Sequence, residues 1–308
     1  MSTGARELEQ QCRALEQLDF ELGAISCGLD RFATRMDEVL PDGPERDRKL
    51  AERRPLEDYQ RTPPEPYTPH WRMAWAANVT LYDTQGNPQR SIRYGAEAGH
   101  DVQLLVARVV DDVVHLCHGR RDVHVACIQD GAADLEPLRA ELRERLPEGV
   151  PRRDLVDFHH AVGYLDAVVS ARDDGDANDL RGWYRLTLLT QDDGASRIVT
   201  HLRRCVEGLE DEADPGLVGA LNAALTYFKK RRPTMRYAES KACGLPIGSG
   251  ATESTCGLFQ LRVKHPGSHW RPAGLHRTMT ACAFQLSDRW APAFRAHHAG
   301  LVHHVHPC

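Results

Sequence analysis

The run VHVACI at 123–128, closing on Gln129-Asp130-Gly131, limits this chain more than any other segment. Six residues with β-branched and apolar character and no polar alternation describe a strand buried on both faces, and such a strand needs covering layers above and below it. Its surroundings supply them. LGAISCGLDRFATRMDE (22–38) reads as a strand of small and apolar residues interrupted at Asp30, and WRMAWAANVTLYD (71–83) and 89–98 read as two strands joined by the turn Thr84-Gln85-Gly86-Asn87. DVQLLVARVVDDVVHLC (101–117) is apolar on most of its circumference and reads as a buried helix, with its β-branched residues leaving a strand open. ADLEPLRAELRERL is an amphipathic helix, and RRDLVDFHHAVGYL is a short strand running into a helix. Three antiparallel strands followed by alternating helix and strand predict an α/β fold: an RNase H-like mixed sheet flanked by helices.

The remainder divides around that core. The first 20 residues predict an N-terminal helix docked on the body, and residues 38–70, charged and proline-rich, predict a long loop. The core's first part covers 21–165. Residues 166–243 are mostly helical, with a polar loop at 172–179, and predict an all-helical insertion before the last catalytic helix. Residues 244–292 hold a glycine-rich turn, a helix and the rest of the core, and 293–308 form a His-rich tail.

The chain has 308 residues, 41% of them hydrophobic and 27% charged, enough for a sizeable core. No apolar run reaches the length of a membrane span, and the charged N-terminus lacks a secretory signal, so a cytoplasmic, nucleoid-associated protein is expected. Nine cysteines without a Cys-x-x-Cys pair predict reduced, mostly buried thiols. The net charge of −5 hides an asymmetry. Leu225–Cys308 carries 12 Lys/Arg against three Asp/Glu, or +9, while the preceding 224 residues carry 27 against 41, or −14. A basic segment on an acidic body suggests a polyanionic partner, although a solvated basic face has the same composition.

The predicted topology sets three carboxylates apart from the rest: Asp30 in the first strand, Asp130 ending the fourth, and Glu253 starting the helix after Gly-Ser-Gly. Carboxylates brought together repel unless cations neutralise them, and hard divalent ions suit an all-oxygen set. Each also has a plain reading. Asp130-Gly131 is turn chemistry, and Glu253 suits a helix's first turn. Asp83 rivals Asp30 as the first carboxylate; Asp30 leaves room for two further strands before the first helix, Asp83 for one.

GLPIGSGATESTC (244–256), preceded by MRYAESKAC, resembles the signature block of the ISKra-type bacterial insertion-sequence transposases, DDE enzymes of the RNase H-like superfamily. IQDGA (128–132), VDFHHAVGYL (156–165), LGAISCGLDRFATRMDE and SDRW (287–290) are similar to further elements, and the resemblance spans roughly residues 20–292. It implies a catalytic domain that hydrolyses a phosphodiester at the element end and directs the freed 3′-hydroxyl at target DNA. Asp30, Asp130 and Glu253 would be both catalytic residues and ligands of two Mg²⁺ or Mn²⁺ ions, with Asp157 and His160 close to the site. Lys229, Lys230, Arg231, Arg232, Arg236, Arg262 and Lys264 would contact phosphates of transposon ends and target. A homo-oligomer on DNA is expected. Trp183 and Trp270 are candidates for stacking on an unpaired base as well as for the core. The tail histidines (His297, His298, His303, His304, His306) with Cys308 fit no standard zinc spacing. The family's N-terminal end-recognition module has no counterpart here, which leaves a second expectation: a truncated or domesticated, catalytically idle DNA-binding or interaction protein. A nuclease without strand transfer is a closer variant.

Overall fold

A computed structural model describes residues 2–15, 17–52, 65–96, 102–132, 135–172, 177–210 and 213–295. Helix α1 (Ser2–Leu15) is followed by strand β1 (Leu22–Val39), helix α2 (Pro44–Ala51), strands β2 (Tyr67–Asp83) and β3 (Pro88–Ala96), and helix α3 (Val102–Cys117). Strand β4 (His124–Gln129), helix α4 (Glu136–Arg145) and strand β5 (Arg152–Val156) complete the sheet. The sheet is mixed, in the order β3-β2-β1-β4-β5. β1, β2 and β3 pair antiparallel, while β4 lies parallel to β1 and β5 parallel to β4.

Strand alternation divides the residues between two layers. Cys27 and Leu29 of β1, Val79 of β2, and Val125 and Cys127 of β4 enter one apolar core with α3 and α4. The opposite face carries Phe32, Met36, Ala74 and Ala76 and is covered by α10 (Gly250–Val263) and α11 (Pro272–Leu286) through Phe259, Val263, Leu275 and Met279. A third core is wholly helical: α5 (Phe158–Ser170), α6 (Ala177–Thr190), α7 (Gly194–Glu207), α8 (Pro215–Arg231) and the short α9 (Tyr237–Ala242) pack around Leu165, Tyr184, Ile198 and Phe228. These helices lie in sequence between β5 and α10, and α5 already packs on α6 and α8.

The region 38–70 differs from the loop expected. β1 runs on to Val39 without a break at Asp30, β2 begins at Tyr67, and α2 lies between them. α2 has no buried residue, so periodicity could not reveal it; proline in its first turn, acids early and bases late suit a helix end to end. Residues 53–64, part of the 172–179 loop, and the tail from residue 296 on, with its histidines and Cys308, lie outside the described residues. The eight described cysteines are free thiols, and Cys12, Cys27, Cys117, Cys127 and Cys256 are buried. Among the described residues no helix is long and apolar enough to cross a membrane.

Candidate active site

The β1–β4 pairing determines what faces what. Their ladder runs from Ala24↔His124 to Cys27↔Cys127; Asp30 lies three residues past its last pair in β1, and Asp130 follows the last residue of β4, Gln129. By alternation Asp30 belongs to the face of Gly28, where Ile128 O of β4 would lie 3.0 Å from a Cβ on that glycine. Asp83 lies opposite Leu22, eight residues or about 26 Å back along β1. Its carboxylate accepts the N–H groups of Gln85 and Asn87 and the side-chain amides of Asn87 and Gln89, which explains it as the organiser of the β2–β3 turn.

Helix α10 brings the third carboxylate across this face. Its buried positions Thr252, Cys256, Phe259 and Val263 recur at helical spacing. Thr252 donates to Asn78 Oδ1 of β2 at 2.6 Å, and Asn78 is the β2 partner of Gly28. A Cβ on Gly28 would lie 2.0 Å from Thr252 Oγ1, so only glycine admits the helix this close. One turn on, the Cys256 thiol reaches Asp30 Oδ2 at 3.6 Å. Glu253, three residues before Cys256, is on the adjoining exposed rim.

The electrostatics agree with the register. Burial pushes the pKa of Asp30 up, the Arg31 N–H and the Cys256 thiol pull it down, and the charges of Asp130 and Glu253 push it up again. Cys256 is also pushed up, first by burial and then by Asp30. Asp130 and Glu253 are therefore each within electrostatic reach of Asp30. Each also has a hydrogen bond of its own: Asp30 Oδ1 accepts from Arg31 N at 2.7 Å, Asp130 Oδ1 from Ala132 N at 2.7 Å, and Glu253 Oε1 from Ser249 Oγ at 2.8 Å. Among the described residues no three His, Cys, Asp or Glu are drawn together tightly enough to hold an ion as they stand.

Asp157 and His160 separate in role. Asp157 is buried and caps α5 by accepting from His160 N, while its other oxygen accepts from Ser249 N of the glycine-rich turn. Its own N–H donates to Gln129 O at 2.8 Å, and Phe158 N donates to Ile247 O at 3.0 Å. One residue thus fastens three elements: its N–H holds the end of β4, and its carboxylate the start of α5 and the approach to α10. His160 is exposed and its ring meets Tyr164 and Tyr227 at 5.7 and 5.8 Å.

The basic segment is equally divided. Arg231 donates to Gly131 O and lies 4.7 Å over the Tyr227 ring, and Tyr227 donates to Asp130 O at 3.2 Å. Gly131 takes a left-handed φ of 90°, and a Cβ there would strike Arg231. Tyr227 and Arg231, which sequence reasoning passed over as positioning residues, therefore hold the Asp130–Gly131 turn from α8. Lys229 and Lys230 are exposed on that same turn of α8, as is Arg232 just past its end. Arg236 is paired with Glu239 at 3.4 Å. Arg262 donates to Leu258 O of its own helix, and Lys264 donates to Gln260 Oε1 and stands 6.0 Å over Phe32. Trp270 is a core residue: its indole donates to Val263 O, and its backbone bridges to Met36. Trp183 is half-exposed against Tyr184 and His201.

No protein-family model matches this sequence, and no curated protein matches it.

Proposed function

We propose that the chain is the catalytic domain of a DDE transposase with an RNase H-like core, carrying out metal-dependent DNA phosphodiester hydrolysis and strand transfer. What supports this reading most is that the charges of Asp130, just past the end of β4, and of Glu253, on the covering helix α10, both act on Asp30 of the adjacent strand β1. The strand order β3-β2-β1-β4-β5 with only β4 and β5 parallel to β1 supports the RNase H-like arrangement.

The donor set consists of carboxylate oxygens with a like-charge cost that a hard cation would relieve, so it fits Mg²⁺ or Mn²⁺. The chemistry such ions supply when bound is activation of a water or 3′-hydroxyl and stabilisation of the leaving oxygen. The protein's own part is positioning. Cys256 and the Arg31 N–H orient Asp30, Ser249 orients Glu253, and Tyr227 with Arg231 fixes the turn bearing Asp130. Lys229, Lys230 and Arg232 are exposed and would bind the phosphates of transposon ends and target. Arg262 and Lys264 follow Glu253 along α10. Recombining two ends calls for a homo-oligomer on DNA.

Plasmid and oligonucleotide nicking with Mg²⁺ or Mn²⁺ tests the reading, comparing wild type with Glu253→Gln. Nicking lost by at least about a hundredfold in the variant is expected, on the scale of removing a group that acts in the transition state. Wild type that binds DNA but never nicks it leaves the idle DNA-binding protein as the answer. Joining of a 3′ end to a second duplex separates a transposase from a nuclease.

A further inference from the structure

The two halves of α10 are held to the sheet by different forces. Its last two turns are anchored by apolar side chains, with Phe259 and Val263 in one cluster with Phe32 and Met36 of β1 and Ala74 and Ala76 of β2. Its first two turns, which carry Glu253, bury Thr252, Thr255 and Cys256 instead. Apolar burial has no preferred direction and tolerates a small slide or rotation, whereas a hydrogen bond weakens steeply with misalignment. The setting of the Glu253 half therefore depends on its polar contacts. Thr255 donates to Ala251 O of its own helix at 2.8 Å. Cys256 joins the apolar cluster and reaches Asp30, itself one of the groups to be positioned. Thr252 is tied to a fixed point, since its hydroxyl donates to Asn78 Oδ1 at 2.6 Å.

Asn78 is held in its turn. It is buried in β2 with Gly28 of β1 and Arg93 of β3 as its ladder partners. Its Nδ2 donates to Thr80 Oγ1 at 3.1 Å, and Thr80 Oγ1 lies 3.0 Å from Ser91 Oγ of β3. With the amide N–H given to Thr80, the oxygen is the atom turned to α10, and it requires a hydroxyl there. Asn78, Thr80 and Thr252 are all buried, where water does not replace a lost partner. Successive residues of a helix are turned by about 100° around its axis, so fixing Thr252 against the sheet fixes the direction in which Glu253 leaves it. Asp30 stands two residues along β1 from Gly28, the residue across from Asn78. Both carboxylates are thus referred to the same pair of strands.

We infer that Asn78 and Thr252 are positioning residues for the metal-binding carboxylates: through their hydrogen bond, β2 sets the rotation and depth of Glu253 relative to Asp30. Neither would touch metal or DNA. The inference rests on the transposase reading above and adds to it the two residues that set the spacing of its carboxylates.

The test compares two buried threonines of one helix. Thr252→Val and Thr255→Val each exchange a hydroxyl for a methyl, but only the first breaks a bond to the sheet. Mn²⁺ affinity of the full chain is measured by calorimetry without DNA, beside Mn²⁺-dependent nicking. Thr252→Val should lower Mn²⁺ affinity about tenfold, the lesser end of what losing an outer orienting contact does to a metal site, and Thr255→Val by less than about twofold. Thr252→Ser should recover most of the loss, and Asn78→Ser, too short to reach the helix, should reproduce it. Equal Mn²⁺ affinity in Thr252→Val and Thr255→Val overturns the inference, as does a loss that Thr252→Ser fails to recover. Should Thr252→Val not fold, Asn78→Ser against Thr255→Val decides by the same measure. Nicking by wild type with Mn²⁺ affinity unchanged in Thr252→Val sinks this inference alone. Mn²⁺ affinity that falls in Thr252→Val while wild type never nicks DNA sinks the transposase reading alone, and a wild type that binds no Mn²⁺ sinks both.

Discussion

Gly28 shows how far one missing methyl can reach. Its site is closed by Thr252 Oγ1 and by Ile128 O, at 2.0 and 3.0 Å from where a Cβ would stand. Gly28→Ala should cost about 1–3 kcal/mol, typical of forcing a methylene into a packed site, and the denaturant midpoint will show it. Asp30 makes the opposite prediction. Its pKa is raised in the folded state, so the fold binds more protons there than the unfolded chain does, and stability falls as pH rises through the carboxylate range. Asp30→Asn should therefore remove that decline and leave the protein slightly more stable than wild type at pH 7, while abolishing nicking. A melting temperature for the variant below wild type at pH 7 and above it at pH 4 would reverse the assigned sign. Asp30 was singled out in the sequence by the strand count and the resemblance, whereas Gly28 was not: glycine in a strand is common, and only the close approach of Thr252 on α10 makes it meaningful.

At the scale of elements, the reading from sequence succeeded where apolar periodicity carried the signal. The five strands, α3, the strand-to-helix step at Asp157 and the helix after the glycine-rich turn follow from it directly. α2 was missed because it is polar on every side, and β1, read over 22–38, runs through Asp30 without the interruption expected there. The ties between elements were also out of view. Asp157 joins three of them, and Asp157→Ala should cost about 1–3 kcal/mol, a lost helix cap plus buried N–H groups left unpaired. Urea unfolding measures this, and a loss no larger than that of an exposed cap would show that the bond to Ser249 contributes nothing. Tyr227→Phe removes a single hydrogen bond to the Asp130 carbonyl, about 0.5–1.5 kcal/mol. If that bond positions the turn, Mn²⁺ affinity should fall further in this variant than in Tyr164→Phe, whose ring stacks on Tyr227 at 4.0 Å.

For the molecule as a whole, the charge asymmetry acquires an address. Lys229, Lys230 and Arg232 stand at one end of α8 beside the candidate site, whereas Arg231 and Arg236 of the same run are engaged with the protein itself. Composition alone could not make this division, since all five residues look alike in sequence. The triple variant Lys229→Ala, Lys230→Ala, Arg232→Ala should flatten the salt dependence of duplex binding, lowering the slope of log K against log salt by up to about 3. The same change at Arg236 alone should leave the slope nearly intact.

The order in which the carboxylates occur along the chain has a consequence in time. Asp30 and Asp130 are made early, but α10 is not complete until residue 263, and Glu253 follows Asp30 by 223 residues. At a synthesis rate of about 5–20 residues per second, roughly 10–45 seconds pass between the first carboxylate and the third. Throughout that interval the nascent chain exposes Gly28 and Asn78 with no helix above them and holds at most two of its three acids. A ribosome that stalls before the glycine-rich turn leaves a fragment that cannot close this face.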